Sequence, residues 1–189
     1  MLPMRGELVS LRRWQVSDAD AVQRWEQPGQ QWRRFNAPFF KTNTAEDIDA
    51  IADRIRRSVP KGEDMGGGRS LPVVDARDEN RLLGRVSRAQ IDETGWTQAG
   101  IIVYDPDTWG HGLGSEALRL WIDLLFRTDP ELHRLDLRTW SGNIGMIKVA
   151  ERLGFTLEAR YREARLVESV HYDDLGFGML RSEWPQVGS

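Results

Sequence analysis

A loop with glycine at every second position, set between an apolar strand and an apolar helix, constrains this chain most. The apolar run Ile101–Tyr104 leads through Asp105–Thr108 into Trp109–Ser115, and a strongly apolar helix is predicted from about Ser115 to Phe126. Glycine lets a main chain approach a ligand closely, and the free N–H groups of a first helical turn favour an anion. The pattern therefore predicts an anion site suited to a pyrophosphate. A flexible turn that binds nothing is the alternative.

Spacing excludes other glycine motifs. A Walker loop ends in Gly-Lys followed by Ser or Thr, and the sequence has no such ending. The dinucleotide fingerprint G-x-G-x-x-G requires glycine where Ser115 stands. A nucleophile elbow, G-x-S-x-G, is also absent.

Composition and charge narrow the class of protein. The 189 residues predict a single domain, 1–189, and the net charge is 26 − 29 = −3. Zero cysteines exclude a disulfide scaffold and a thiolate zinc site. A pI near 5.7 argues against nucleic-acid and membrane partners. No 18-residue apolar run exists and Met1–Arg13 lacks a signal-peptide core, which predicts a cytoplasmic protein.

The order of predicted elements indicates the fold class. Capping signals at Ser17 and Thr44 begin two helices, and Gly66–Gly68 breaks the pattern before three antiparallel strands. The order is one strand, two helices, three strands, a helix, a strand, a helix and two strands. It predicts an α/β (α+β mixed) protein with a single mixed, mostly antiparallel sheet flanked by helices.

A second motif begins at Asn143, which is placed to cap a helix that Gly154 ends. The combination of W-G-x-G-x-G-x-E-A with N-x-x-x-I-x-x-x-E-x-L-G-F resembles the GNAT superfamily of acetyl-CoA-dependent N-acetyltransferases. Within it, the chain resembles the RimJ/RimL type, which modifies N-terminal amines of ribosomal proteins. The resemblance covers nearly the whole chain and implies a centrally splayed sheet with a GNAT-like acyl-CoA acyltransferase fold.

The resemblance also implies a coenzyme site. The strand before the loop would pair with pantetheine, and the loop amides would hold the pyrophosphate. Asn143 and Met146, in the second motif, would contact the coenzyme arm. Trp109 stands where many relatives have Arg or Gln. The residues that this implies are Ile101, Ile102, Val103, Trp109, Gly110, His111, Gly112, Leu113, Gly114, Ser115, Asn143 and Met146.

Direct acetyl transfer to an amine needs a proton acceptor, an oxyanion donor and a proton source for the thiolate. The Val103 N–H is the expected oxyanion donor. Many relatives have a glutamate base where this chain has Gln98, whose amide can orient water but cannot take a proton. Many RimL-like sequences have a serine where this chain has Met146. Substitute bases are Asp92, Glu93, Glu158 and Glu163, and substitute acids are Tyr161 and Tyr172.

The acceptor is expected between the first two helices and the last strand pair. Trp32, Arg33 and Phe35 in that region would suit an acidic or aromatic acceptor, although loop packing explains Trp32 and Phe35 almost as well. His111, His133 and His171 lack metal spacing, so no metal is expected.

The sequence thus predicts an acetyl-CoA-dependent N-acetyltransferase that acts on a primary amine, either a protein N-terminus or a small molecule. The alternative is a coenzyme A-binding protein of the same fold with weak or lost catalysis. By resemblance alone, a homodimer is expected.

Overall fold

A computed structural model describes residues 2–63 and 69–185 as one eight-stranded sheet with helices on both faces. The strands lie in the order β1-β2-β3-β4-β5-β6-β8-β7. Their bounds are β1 Met4–Arg5, β2 Val9–Leu11, β3 Ser70–Asp75, β4 Leu82–Gln90, β5 Thr97–Val103, β6 Arg134–Trp140, β7 Thr156–Val167 and β8 Val170–Leu180. The helices are α1 Asp18–Trp25, α2 Ala45–Ser58, α3 Leu113–Thr128 and α4 Ile144–Arg152.

The predicted element order is confirmed, with the two-residue strand β1 added at the start. The capping box at Thr44 is confirmed, since its hydroxyl accepts from the Asp47 N–H and the Asp47 carboxylate accepts from the Thr44 N–H. This backbone hydrogen bond from Thr44 holds the pKa of Asp47 below its usual range. The glycine break at 66–68 lies outside the described residues.

The expected side-chain cap at Ser17 is wrong. Ser17 does precede α1, but its side chain makes no capping hydrogen bond. The start of α1 is held instead by Asp18, whose carboxylate accepts from the Gln15 N–H just before the helix and forms a buried ion pair with Arg12 at 2.8 Å. Two side-chain hydrogen bonds from Arg12 fix the orientation of this carboxylate at the start of the helix.

Two apolar cores lie on opposite faces of the sheet. The larger core joins α3 and α4 to the sheet, and the smaller joins α1 and α2 to it. Side chains alternate along β5, so Ile101 packs on the larger core and Ile102 on the smaller. The central strand therefore contributes to both faces.

The sheet opens between β5 and β6, its parallel pair. Only Thr97–Leu135 and Gln98–Asp136 are in register there, while β4 and β5 stay paired as far as Gly84–Val103. The rest of β5 has an edge without a neighbouring strand. The predicted central splay is confirmed.

Candidate active site

A cleft of about 440 Å³ lies at the opening between β5 and β6. Its walls come from the end of β5, the glycine loop with the start of α3, the exposed side of α4 and the connection between α1 and α2. The residues of the predicted coenzyme site that line it are Ile101, Ile102, Val103, Trp109, Gly110, Gly112, Leu113, Gly114, Ser115, Asn143 and Met146. His111 is exposed and is not part of the cleft wall.

The glycine loop turns the N-terminus of α3 toward the cleft. Gly110 and Gly112 have φ of +80° and +90°, a left-handed conformation that other residues adopt only with strain. The helix begins at Leu113, about two residues earlier than predicted, and its first internal hydrogen bond is donated by the Glu116 N–H to the Gly112 carbonyl. The N–H groups of residues 113–115 have no acceptor within the helix, so they form the candidate anion site.

Glu116 braces this loop from behind. Its carboxylate accepts hydrogen bonds from the N–H groups of Glu7, Leu8 and Val9 at 2.8–2.9 Å. A Cβ on Gly112 would lie 3.5 Å from the Leu8 side chain, so the braced segment backs the loop directly. Glu116 is therefore structural, and its only signal in the sequence was its place in the loop motif.

The open edge of β5 presents main-chain groups to the cleft. The Tyr104 N–H donates to the Leu83 carbonyl, toward β4. Because successive amides of a strand point to opposite edges, the N–H groups of Val103 and Ile101 point toward the opening. The Val103 carbonyl accepts from Trp109 Nε1 at 3.1 Å, and the Val103 N–H faces the gap. This geometry suits the expected oxyanion donor, which stays a prediction.

Asn143 caps α4 as predicted, because its Oδ1 accepts from the Met146 N–H at 3.0 Å. Its amide nitrogen donates to the Phe35 carbonyl at 3.1 Å, and Trp140 Nε1 donates to the same oxygen at 3.0 Å. The side chain thus ties the connection between α1 and α2 to the cleft. Gly154, with φ of +82°, ends the helix as expected.

Two cations on α4 were missed in the sequence. Lys148 and Arg152 lie four residues apart and line the cleft, and Arg152 Nη1 donates to the Ser115 hydroxyl at 3.4 Å. They place positive charge beside the candidate anion site. Their spacing behind Asn143 was the available signal.

The three residues predicted for the acceptor lie in different surroundings. Trp32 is buried, and its indole donates to the Trp25 carbonyl at 2.8 Å. Arg33 forms an ion pair with Glu26 at 3.0 Å, so its charge is already engaged. Only Phe35 is exposed, and it packs edge-on against Trp109 at the cleft. Both Trp32 and Phe35 line the cleft.

A buried polar cluster beneath Trp32 had no signal in the sequence. Glu26 is 3% exposed, faces Arg85 at 3.5 Å and accepts from the Tyr104 hydroxyl at 3.3 Å, besides its pair with Arg33. Burial raises the pKa of Tyr104 well above its usual range. The cluster fixes the end of β5 against α1.

Gln98 lies on the α1/α2 face, directly beside Asp136. Of the substitute bases, Asp92 and Glu93 lie in the turn between β4 and β5, and hydrogen bonds from Thr94 hold the pKa of Asp92 below its usual range. Glu158 and Glu163 lie on the outermost strand β7.

Tyr161 is exposed on β7, and Tyr172 packs edge-on against Trp140 at 4.7 Å between ring centroids. His133 and His171 are exposed. Among residues 2–63 and 69–185, no three His, Asp or Glu side chains are grouped to hold a metal ion. No helix in these same ranges has the length and apolarity to span a bilayer.

A sheet that opens at a parallel strand pair, with a glycine loop and helix N-terminus at the opening, matches the acyltransferase architecture implied by the two motifs. Residues 9–156 match the acetyltransferase (GNAT) domain family. The chain belongs to this family, whose enzymes use acetyl-CoA, and it is an acyltransferase.

Similar proteins cover nearly all of the chain. It is 28% identical over 186 residues to a protein of Bacillus subtilis (strain 168) described as a probable N-acetyltransferase, YjcK, covering 95% of this chain and 98% of that one. The ribosomal-protein-S5-alanine acetyltransferase of Vibrio fischeri superposes with a TM-score of 0.74 at 19% identity, over 98% and 100% of the two chains. RimL, a ribosomal L7/L12 alpha-N-protein acetyltransferase in complex with coenzyme A, superposes with a TM-score of 0.69 at 16% identity, over 94% and 96%.

Proposed function

We propose that this enzyme transfers an acetyl group from acetyl-CoA directly to a primary amine. The observation that carries the proposal is that the cleft passes through the sheet. Ile101 and Ile102 lie on opposite faces of β5, yet both line the same cleft. A donor on the α3/α4 face and an acceptor on the α1/α2 face can therefore meet at the opening.

The donor side fits a coenzyme with a diphosphate and an extended amide arm. The N–H groups of residues 113–115 and the cations of Lys148 and Arg152 would hold the diphosphate. The open edge of β5 would pair with the arm, as a neighbouring strand would. The Val103 N–H would then donate to the thioester carbonyl oxygen, where charge develops during transfer.

The acceptor class rests on similarity. The RimJ/RimL-like motifs, and superposition on acetyltransferases of ribosomal proteins, support a protein N-terminus as the acceptor. A small-molecule amine, such as a polyamine or an antibiotic, fits the same chemistry. From the resemblance to the RimJ/RimL type we also propose that this protein forms a homodimer, which light scattering of the purified protein would detect.

A second candidate, a coenzyme-binding protein with lost catalysis, is favoured by Gln98 and Met146. Neither an amide nor a thioether can exchange a proton with a substrate at neutral pH.

Titration calorimetry with coenzyme A, followed by thiol release across a panel of peptides, polyamines and aminoglycosides, separates these functions. We expect binding and amine-dependent thiol release. Binding without release for any amine would support the second candidate, and no binding would contradict both.

A further inference from the structure

The opening between β5 and β6 is bounded on every side. It narrows to the register pair Gln98–Asp136, beyond which the two strands diverge. From that pair, β5 continues to Val103 and β6 to Trp140, so the two sides are about 16 Å and about 13 Å long at about 3.3 Å per residue. On the α1/α2 face, the connection between α1 and α2 crosses the wide end at Phe35. An acceptor that comes from this face therefore passes through a closed window.

Phe35 makes this crossing through contacts with the ends of both strands. Its ring packs edge-on against Trp109 at 5.4 Å between centroids, and Trp109 Nε1 donates to the Val103 carbonyl at the end of β5. The Phe35 carbonyl accepts from Trp140 Nε1 at the end of β6 and from Asn143 Nδ2 before α4. Phe35 and Trp109 both line the cleft, and their two rings form an aromatic gate across its acceptor side.

The backbone that carries the gate is firmly held. The Ala37 N–H also donates to the Phe35 carbonyl, at 3.1 Å, so this one oxygen accepts three hydrogen bonds. Trp140 is 5% exposed and packs edge-on against Tyr172, and a Cβ on Gly142 would overlap its ring. The glycine thus leaves room for an indole whose N–H is turned toward the connection. Packing and hydrogen bonds together fix the position of the Phe35 backbone.

Phe35 differs from the other aromatic residues of the same connection. Trp32 is 3% exposed, and a guanidinium lies over its ring at 4.8 Å. Phe39 and Phe40 pack edge-on against each other, and neither lines the cleft. Of these four residues, Phe35 alone both lines the cleft and keeps more than a third of its surface exposed, at 37%. Its ring is therefore the one that an incoming acceptor would meet.

Resting on the proposed function, we propose that Phe35 selects the acceptor by shape and that Trp140 is a positioning residue that holds Phe35 in place. The selected class is a primary amine on an unbranched carbon, such as an N-terminal glycine or the end of an alkyl chain. A slender amine extends end-on past the ring into the window, whereas a branch next to the nitrogen meets the ring. The Phe35 backbone cannot withdraw from the window without losing its hydrogen bonds.

The test compares amines that differ in branching, with the full chain at saturating acetyl-CoA. The small-molecule pair is n-butylamine and sec-butylamine, and the peptide pair begins with Gly or with Val and is otherwise identical. Thiol release gives kcat/KM for each amine, and the readout is the ratio of the unbranched to the branched amine, in which the amount of folded enzyme cancels. A methylene in an apolar site is worth about 10–200-fold, so wild type should prefer the unbranched member of whichever pair it accepts by at least about tenfold.

Three variants separate selection from structure. Phe35→Ala should reduce the ratio at least about fivefold, because the branch gains room. Trp140→Phe keeps a ring against Tyr172 but removes one donor to the Phe35 carbonyl, and it should reduce the ratio about threefold. Phe40→Ala is the matched control, since it truncates a phenylalanine of the same connection that is 63% exposed and outside the cleft. It should leave the ratio unchanged.

The outcomes are distinct. An active wild type that uses both members of a pair equally well, or whose ratio persists in Phe35→Ala, would overturn this inference and leave the proposed function standing. A Trp140→Phe variant that slows both amines alike would give Trp140 a structural role and overturn its assignment as a positioning residue. A wild type inactive toward every amine would remove the proposed function together with the inference.

Discussion

Tyr104 is a buried tyrosine whose surroundings keep its phenol group protonated. Its side chain is fully enclosed between Trp25, Trp32 and the Glu26 carboxylate. Burial and the nearby negative charge both disfavour a phenolate, and the Arg85 charge offsets only part of this effect. The raised pKa makes the folded state bind a proton that the unfolded chain releases above pH 10.

This difference predicts an alkaline loss of stability. The contribution of Tyr104 is fully present below about pH 10, the ordinary tyrosine pKa, and is lost progressively above it, because only the unfolded chain ionises there. Urea denaturation of wild type and Tyr104→Phe at pH 8 to 11 measures it. The wild-type free energy of unfolding should decline more steeply above pH 10 than that of the variant. Parallel curves would contradict the assignment.

At the scale of elements, the backbone conformation of the loop between β5 and α3 determines whether the N–H groups at the start of α3 can bind an anion. Gly112 holds φ of +90° immediately before the helix, which aims the first-turn amides into the cleft. A side chain there would force the loop out of this conformation at a cost of about 1–3 kcal/mol. Loop geometry, rather than any side chain of the loop, therefore sets the candidate anion site.

Gly112→Val should raise the Kd for coenzyme A at least tenfold in calorimetry, because the amides of residues 113–115 lose their common direction. Gly62 offers a matched control, since it also has positive φ (+71°) but lies in open space after α2. Gly62→Val should lower the melting temperature to a similar degree without changing the Kd. Equal affinity of the Gly112 variant and wild type would place the diphosphate elsewhere.

Elements were predictable from the sequence where local signals decide them. The Thr44 capping box, the Asn143 cap and the left-handed stop at Gly154 each depend on a few consecutive residues, and each is found as expected. Glu26 could not be found, because its significance depends on how α1 docks against the sheet. Periodicity gives the face of a residue on its own element but not its neighbour on the next one.

For the molecule as a whole, a cleft that passes through the sheet predicts a sequential kinetic mechanism. Donor and acceptor reach the opening from opposite faces, so both can be bound before any bond changes. Initial rates at varied acetyl-CoA and amine should give intersecting double-reciprocal lines, and no thiol should appear before the amine is added. Parallel lines or an early thiol burst would indicate an acetylated enzyme instead.

The strand order has a further consequence. All strands on one side of the opening, β1 to β5, precede all strands on the other side, β6 to β8, and α3 with the turn after it joins the two groups. A chain severed in that turn would yield two pieces whose mating surfaces meet along the β5–β6 boundary. Coenzyme bound across this boundary would hold the two pieces together, so the reassembly of the severed halves would report the presence of the coenzyme.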